Sequence, residues 1–420
     1  MPPSPWSRCL EIERDFMDYG KLYSDDVWAF VPSPVRAIFK NYDFSKIISF
    51  AGGYPSSDTF RTDDMLLAAE EAFRLYGPGI LQYGATEGLM LLREAISERY
   101  GVPVNNVGIT TSSQQGIDLC ARIFVNPADA VFVNRPTFLG AIQSFRSYRA
   151  DIRGVKASPD ASGAEGAEAV AGAYSAAIAA ARSEGLVPKF IYLIPDFNNP
   201  TGETLSLEAR EAVIDVARRE SLMIVEDSPY RELRFSGSDV PSMYSLAPDC
   251  VLHLGSFSKI LAPGFRLGWV FGPREVLDRL TACKQSVDLC PPMLDQHIAA
   301  ILLKSGRLHD NLRWTVSLYR RKRDFMLAML ERHMPSGVNW TRPEGGLFVF
   351  LTLPEHIDTV ALYDSALSAG VAYVSGAFFH PDGGGRNTMR LNYSFMDMDR
   401  IEEGISVLAG IIRAHINAAR

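Results

Sequence analysis

Apolar residues in this chain gather into short runs separated by polar turns rich in glycine and proline, and the runs mark out buried strands. Residues 47–50, 107–110, 129–133, 190–194, 222–225 and 251–254 each read as one, and 190–194 and 222–225 are apolar throughout, as buried parallel strands are. Between them the period changes. Leu89, Leu92, Ile96 and Tyr100 fall at helical spacing and form one apolar face, and a further helix opens near residues 111–116 and runs through Phe124. Residues 157–185 read as a polar loop followed by an exposed helix across 165–182, and residues 293–334 carry long helical stretches. Within these the basic run 318–323 reads as a solvated helix face. Residues 371–375 form another strand, 378–387 a loop, and 389–395 alternate apolar and polar positions as a half-buried strand does.

Polar chemistry collects where three of the buried runs end. After 251–254 come Ser256, Ser258, Lys259 and Arg266, in the crevice outside a strand's carboxyl end where open α/β sheets bind ligands. Two hydroxyls, an amine and a guanidinium suit an anionic ligand, and the amine is also a nucleophile. A lone lysine is more often a solvated charge. Here two further stretches, Pro195–Gly202 and Val225–Tyr230, follow the other two runs, so polar residues leave three strands at one edge of a single sheet.

The motifs NNPTG, EDSPY and SFSK…GFRLGW resemble, in order and spacing, the pyridoxal-phosphate enzymes of fold type I in the class I and II aminotransferase family. The AGG-x-P loop at residues 51–55 is similar to the aminoadipate and kynurenine aminotransferase branch, and the likeness spans about residues 30–415. It implies an α/β fold: a large domain over 60–290 with a mostly parallel seven-stranded sheet flanked by helices, and a smaller α+β domain from 1–59 and 291–420. It implies pyridoxal 5'-phosphate as cofactor. Lys259 would be its Schiff-base anchor and the general base at the substrate α-carbon, and Asp227 the carboxylate that keeps the ring nitrogen protonated. Strand alternation lets only one of Glu226 and Asp227 face the ring, and the resemblance selects Asp227.

By the same likeness, Asn199 and Tyr230 hold the ring's phenolic oxygen. Ser256, Ser258 and Arg266 hold the phosphate together with Ser113 and Gln114 at a helix start, where free N–H groups favour anions. Phe138 stacks on the ring, where the family often has a tyrosine. Tyr83 reaches the neighbouring subunit's phosphate in a homodimer. Arg390 pairs with the substrate α-carboxylate, with Gly53 close by and Arg36 reaching a distal carboxylate. The implied reaction is ping-pong transfer of an amino group from an aromatic, long-chain or glutamate-like L-amino acid to a 2-oxo acid. Oxidation, decarboxylation or elimination on the same fold uses the same anchor motifs. A regulatory module of this fold carries a DNA-binding domain ahead of the block, which here begins near residue 51.

Composition narrows the classes without choosing among them. The 420 residues are 47% hydrophobic and 22% charged, enough for a large core, and the net charge of −7 argues against a nucleic-acid footprint. Five cysteines without a CxxC suggest neither a disulfide framework nor a zinc ribbon, and the seven histidines have no metal-ligand spacing. Prolines and acids break the first residues where a signal peptide would be apolar, so the cytoplasm is the expected location.

Overall fold

A computed structural model of the protein describes residues 18–24, 27, 46–156 and 163–418. In chain order the strands are β1 (Ile48–Ser49), β2 (Val107–Thr110), β3 (Ala130–Asn134), β4 (Asp151–Val155), β5 (Pro188–Leu193), β6 (Met223–Asp227), β7 (Val251–Ser256) and β8 (Gly268–Phe271). They continue with β9 (Asn339–Trp340), β10 (Phe348–Thr352), β11 (Val371–Ala372), β12 (Val374–Ser375) and β13 (Thr388–Asn392). Seven of them form one sheet in the order β2-β8-β7-β6-β5-β3-β4, in which β8 runs antiparallel to both neighbours and the remaining pairs are parallel. Helices cover it: Ser112–Phe124 lies across β7 and β8, and Gly163–Ser183 packs along Leu207–Glu220. Covered on both faces, the central strands have no solvent side to keep polar, which is why they read as unbroken apolar runs.

Two strands of this sheet do not announce themselves as apolar runs. The edge strand β4 is half-exposed along most of its length and its sequence mixes charge with glycine. β8 begins within the GFRLGW motif, and its first residue is Gly268, where a Cβ would stand 2.7 Å from the Ser112 carbonyl carbon and from the Ser113 nitrogen. That close approach brings the helix start against the sheet edge.

The smaller unit is an antiparallel sheet ordered β12-β13-β10-β9. Beside it β1 pairs in parallel with β11, Ile48 against Val371, so an early segment of the chain is tied to its late part. The division at residue 290 assigns the helix Met293–Lys304 to this unit, yet the helix packs on Thr62–Tyr76 and Met90–Tyr100, while Arg307–His333 packs on Met398–Ala418. The reading of the basic run as a solvated face is corrected by the structure. Arg320 and Arg321 are exposed, but Lys322 and Arg323 are buried. Lys322 donates to the Ser394 carbonyl at 3.1 Å and Arg323 to the Pro343 carbonyl, so half of the run ties elements together. Helical periodicity turns alternate pairs of the run inward, which a count of charges does not reveal.

Candidate active site

The parallel strands end in Asn134, Leu193, Asp227 and Ser256 along one edge, and the candidate residues sit there. Strand alternation separates the two acids of β6. Glu226 accepts from the backbone N–H groups of Met243 and Tyr244, each at 3.0 Å, and lies 2.9 Å from His253 Nδ1. Burial opposes its charge, but His253, Arg210 and the Met243 N–H hold its carboxyl down at about 2. Asp227 projects from the opposite face. Its Oδ2 accepts from the Tyr192 hydroxyl at 2.7 Å, while its buried Oδ1 has no hydrogen-bond partner. Burial pushes the Asp227 carboxyl up to about 6, against the pull of the Tyr192 hydroxyl and the charges of His253 and Lys259.

Lys259 follows β7 in the turn beyond Ser256, half-buried, and its amine donates to the Gly53 carbonyl at 2.8 Å. Burial, then the charges of Arg390 and Arg266, lower its pKa to about 8. Roughly a tenth of this amine is therefore neutral, and nucleophilic, at pH 7, against well under one in a thousand for an ordinary lysine. Ser256 and Ser258 are buried, with the Ser258 N–H donating to Ser256 Oγ at 3.2 Å. Arg266 donates to Ser112 Oγ at 2.7 Å, which brings the guanidinium to the first turn of Ser112–Phe124, where backbone N–H groups lack helical partners. Three non-glycine residues at this edge hold positive φ: Ser112 (66°), Phe197 (53°) and Arg266 (51°). Such backbone costs on the order of 1–3 kcal/mol each and persists where the surroundings over-determine it.

Ser113 and Gln114 share that first turn. The Gln114 amide reaches sideways, to Ser144 Oγ at 3.0 Å and the Gly140 carbonyl at 3.2 Å, so what it offers an anion there is its backbone N–H. Phe138 caps the helix Leu139–Ser147 beside Gln114. Asn199 and Tyr230 are both buried and hydrogen-bonded through their side chains, and burial raises the Tyr230 phenol. Asn199 Oδ1 also accepts from Arg390 at 2.8 Å, and the other arm of Arg390 donates to the Ala51 carbonyl. The Arg390 guanidinium lies 4.2 Å from the Phe348 ring centre and 5.0 Å from that of Phe379, and burial lowers its pKa to about 10.

Tyr83 stands apart from this cluster, 78% exposed. Arg36 lies outside the described residues. Sequence reasoning missed Tyr192, Ser112 and Phe379. Tyr192 did leave a signal: a tyrosine inside an otherwise apolar run has a hydroxyl that burial obliges to find a partner.

An orphaned carboxylate oxygen, a depressed lysine amine and a hydroxyl-arginine-helix cradle fit a ligand with a cationic ring nitrogen, an aldehyde and a phosphate. That donor set on this sheet defines the fold type I pyridoxal-phosphate enzymes. The profile described as "Aminotransferase class I and II" matches residues 45–408, and the chain belongs to that family. It is 37% identical to aromatic-amino-acid aminotransferase 1 of Thermococcus litoralis, over 96% of this chain and 97% of that protein. The kynurenine aminotransferase of Pyrococcus horikoshii, solved with pyridoxamine phosphate, superposes with a TM-score of 0.89 at 36% identity, covering 95% of this chain and 99% of that one. An α-aminoadipate aminotransferase of Thermus thermophilus, complexed with N-(5'-phosphopyridoxyl)-L-leucine, does so with a TM-score of 0.86 at 35% identity, over 96% and 100%. The protein is a pyridoxal-phosphate-dependent aminotransferase.

Proposed function

We propose that this enzyme transfers the amino group of aromatic or long-chain L-amino acids to a 2-oxo acid such as 2-oxoglutarate, by a ping-pong cycle. The relatives named for aromatic amino acids, kynurenine and α-aminoadipate support that substrate range. So does an aromatic surround: Phe348 beside Gly53 and Arg390, and Tyr54 edge-on to Phe395 at 5.7 Å. The observation that carries the reading is the buried, unpartnered Oδ1 of Asp227 at the same edge as the depressed amine of Lys259.

When bound, the cofactor supplies an aldehyde that takes up the amino group and a cationic ring that draws off the electron pair left at the α-carbon. Lys259 would anchor the cofactor through its amine and, when that amine is free, would carry the proton away from the substrate α-carbon. Asp227 holds the proton on the ring nitrogen. Asn199 and Tyr230 hold the ring oxygen, Phe138 covers the ring, and Ser113, Gln114, Ser256, Ser258 and Arg266 bind the phosphate. Arg390 exchanges Asn199 and the Ala51 carbonyl for the substrate carboxylate in a bidentate pair, which orients the Cα–H bond. Gly53 engages the Lys259 amine through its carbonyl, and without a Cβ it lets the Phe348 ring come close.

The working unit in this reading is a homodimer in which Tyr83 reaches the partner's phosphate. Leu66, Phe73, Leu75, Leu81 and Met90, which flank it along the chain, are all exposed, and a second copy would cover such apolar side chains. The joint between large and small domains falls between the helices Met293–Lys304 and Arg307–His333, which moves that boundary from 290 to the turn after Lys304. The four described cysteines are free, in keeping with a cytoplasmic location.

The test is the visible spectrum of the holoenzyme as single amino acids are added. Bleaching of the yellow cofactor band, fastest with aromatic and long-chain donors and reversed by 2-oxoglutarate, is the expected result. A band that persists at long wavelength, or consumption of oxygen, would assign another fate to the substrate.

A further inference from the structure

Tyr192 lies in the middle of the large sheet, on β5, where it pairs in parallel register with Val225 of β6. Side chains of paired residues leave a sheet on one face, and Asp227 stands two positions beyond Val225 on that same face. The Tyr192 ring is fully buried, with the Phe145 ring edge-on at 5.4 Å. Among the described residues its hydroxyl donates to Asp227 Oδ2, at 2.7 Å. The other titratable groups around this carboxylate are His253 on β7, Lys259 beyond it, Tyr230 beyond β6 and Cys120 on the helix Ser112–Phe124. Burial holds the Tyr192 phenol well above its ordinary range, so it remains a donor at every working pH.

We propose that Tyr192 is the positioning residue that keeps the cofactor's ring nitrogen protonated: by donating to Asp227 Oδ2 it holds the carboxylate ionised in a dry site and leaves Oδ1 free for the ring. The inference rests on the role of Asp227 given above. Burial drives this carboxyl toward its neutral form, and a neutral carboxyl would keep the proton that the ring nitrogen needs. A hydrogen bond to the charged form opposes that drift, and hydrogen bonds to charged groups are the stronger kind. Phenylalanine at 192 would preserve the packing with Phe145 and remove only the donor.

The experiment uses holoenzyme loaded with cofactor carrying 15N at the ring nitrogen. Its chemical shift is followed against pH in wild type, Tyr192→Phe and Asp227→Asn. The expected result is that Asp227→Asn loses ring protonation throughout, and that Tyr192→Phe loses it about one to two pH units below wild type. With it, kcat should fall about tenfold while the KM for the amino acid stays within about twofold. A Tyr192→Phe titration superposing on wild type, with Asp227→Asn shifted, overturns the proposal alone. If Asp227→Asn superposes as well, the assignment of Asp227 falls and Tyr192 with it. Replacing Tyr192 with 3-fluorotyrosine, a near-isosteric and stronger donor, should move the titration the other way even where the phenylalanine variant folds poorly. No movement there also overturns the proposal.

Discussion

The two sides of the active site treat their buried polar groups differently. On the sheet side, Asp227 Oδ1 and Ser228 Oγ are buried with no hydrogen-bond partner. On the small-domain side the groups that would meet substrate are engaged by the protein itself, the two terminal nitrogens of Arg390 by Asn199 and the Ala51 carbonyl, its Nε alone being unpartnered, and Lys259 by the Gly53 carbonyl. A buried polar group without a partner costs about 1–3 kcal/mol. That cost is tolerable where a resident cofactor removes it for the life of the enzyme. A group that meets its ligand once per turnover needs a stand-in between visits. The sheet side is built to be filled, and the other side to exchange.

The largest test of this contrast is Lys259→Ala, because Lys259 belongs to both sides. It should lower kcat by about 10⁴-fold, the upper end of what a positioned acid–base group contributes. Borohydride should no longer fix the cofactor covalently to the chain, as read by mass spectrometry.

Arg390→Ala comes next, with kcat/KM for the donor falling about 10³-fold through loss of two charge-assisted bonds, while cofactor affinity stays within about threefold. Arg390→Lys keeps the charge without the planar fork and should recover part of the loss. If Arg390→Ala weakened the cofactor as much as the donor, the division into a filled and an exchanging side would fail.

Loading of apoprotein with cofactor tests the sheet side through pH. The Lys259 amine sits at about 8, below its ordinary 10.5, so its reactive neutral fraction grows with pH up to about 8 and then levels. The loading rate should rise about fiftyfold from pH 6 to pH 8 and gain only about twofold more above. A plateau displaced toward pH 10 would mean that burial and the arginines do not depress this amine. The smallest effect expected is that of Tyr83→Phe, about tenfold weaker cofactor retention with the dimer intact by sedimentation. An unchanged dissociation constant would remove Tyr83 from the partner's site.

Much of the site is legible because its residues lie just past strand ends, where local polarity breaks an apolar run. Lys259, Asp227, Asn199 and Tyr230 show themselves in this way. Tyr192 was not read as functional because the carboxylate that explains it is 35 residues away on a neighbouring strand. The Ser112–Arg266 bond spans 154 positions, and Ser112 alone reads as a helix start.

The sequence by itself determined the sheet's buried strands, the motifs at their carboxyl ends and, through their order, the family. Apolar periodicity and the residues just beyond it are local properties, and a chain carries them before it folds. Tertiary structure alone gave the physical reason that Asp227 is the free acid of β6: the N–H groups of Met243 and Tyr244 and the His253 ring engage Glu226 and leave Asp227 Oδ1 open. It also decided that Arg390 waits on Asn199, 191 residues away, and Lys259 on Gly53, 206 residues away. Hydrogen bonds in a dry interior are set by which groups the fold brings within about 3 Å, and no spacing along the chain encodes that distance.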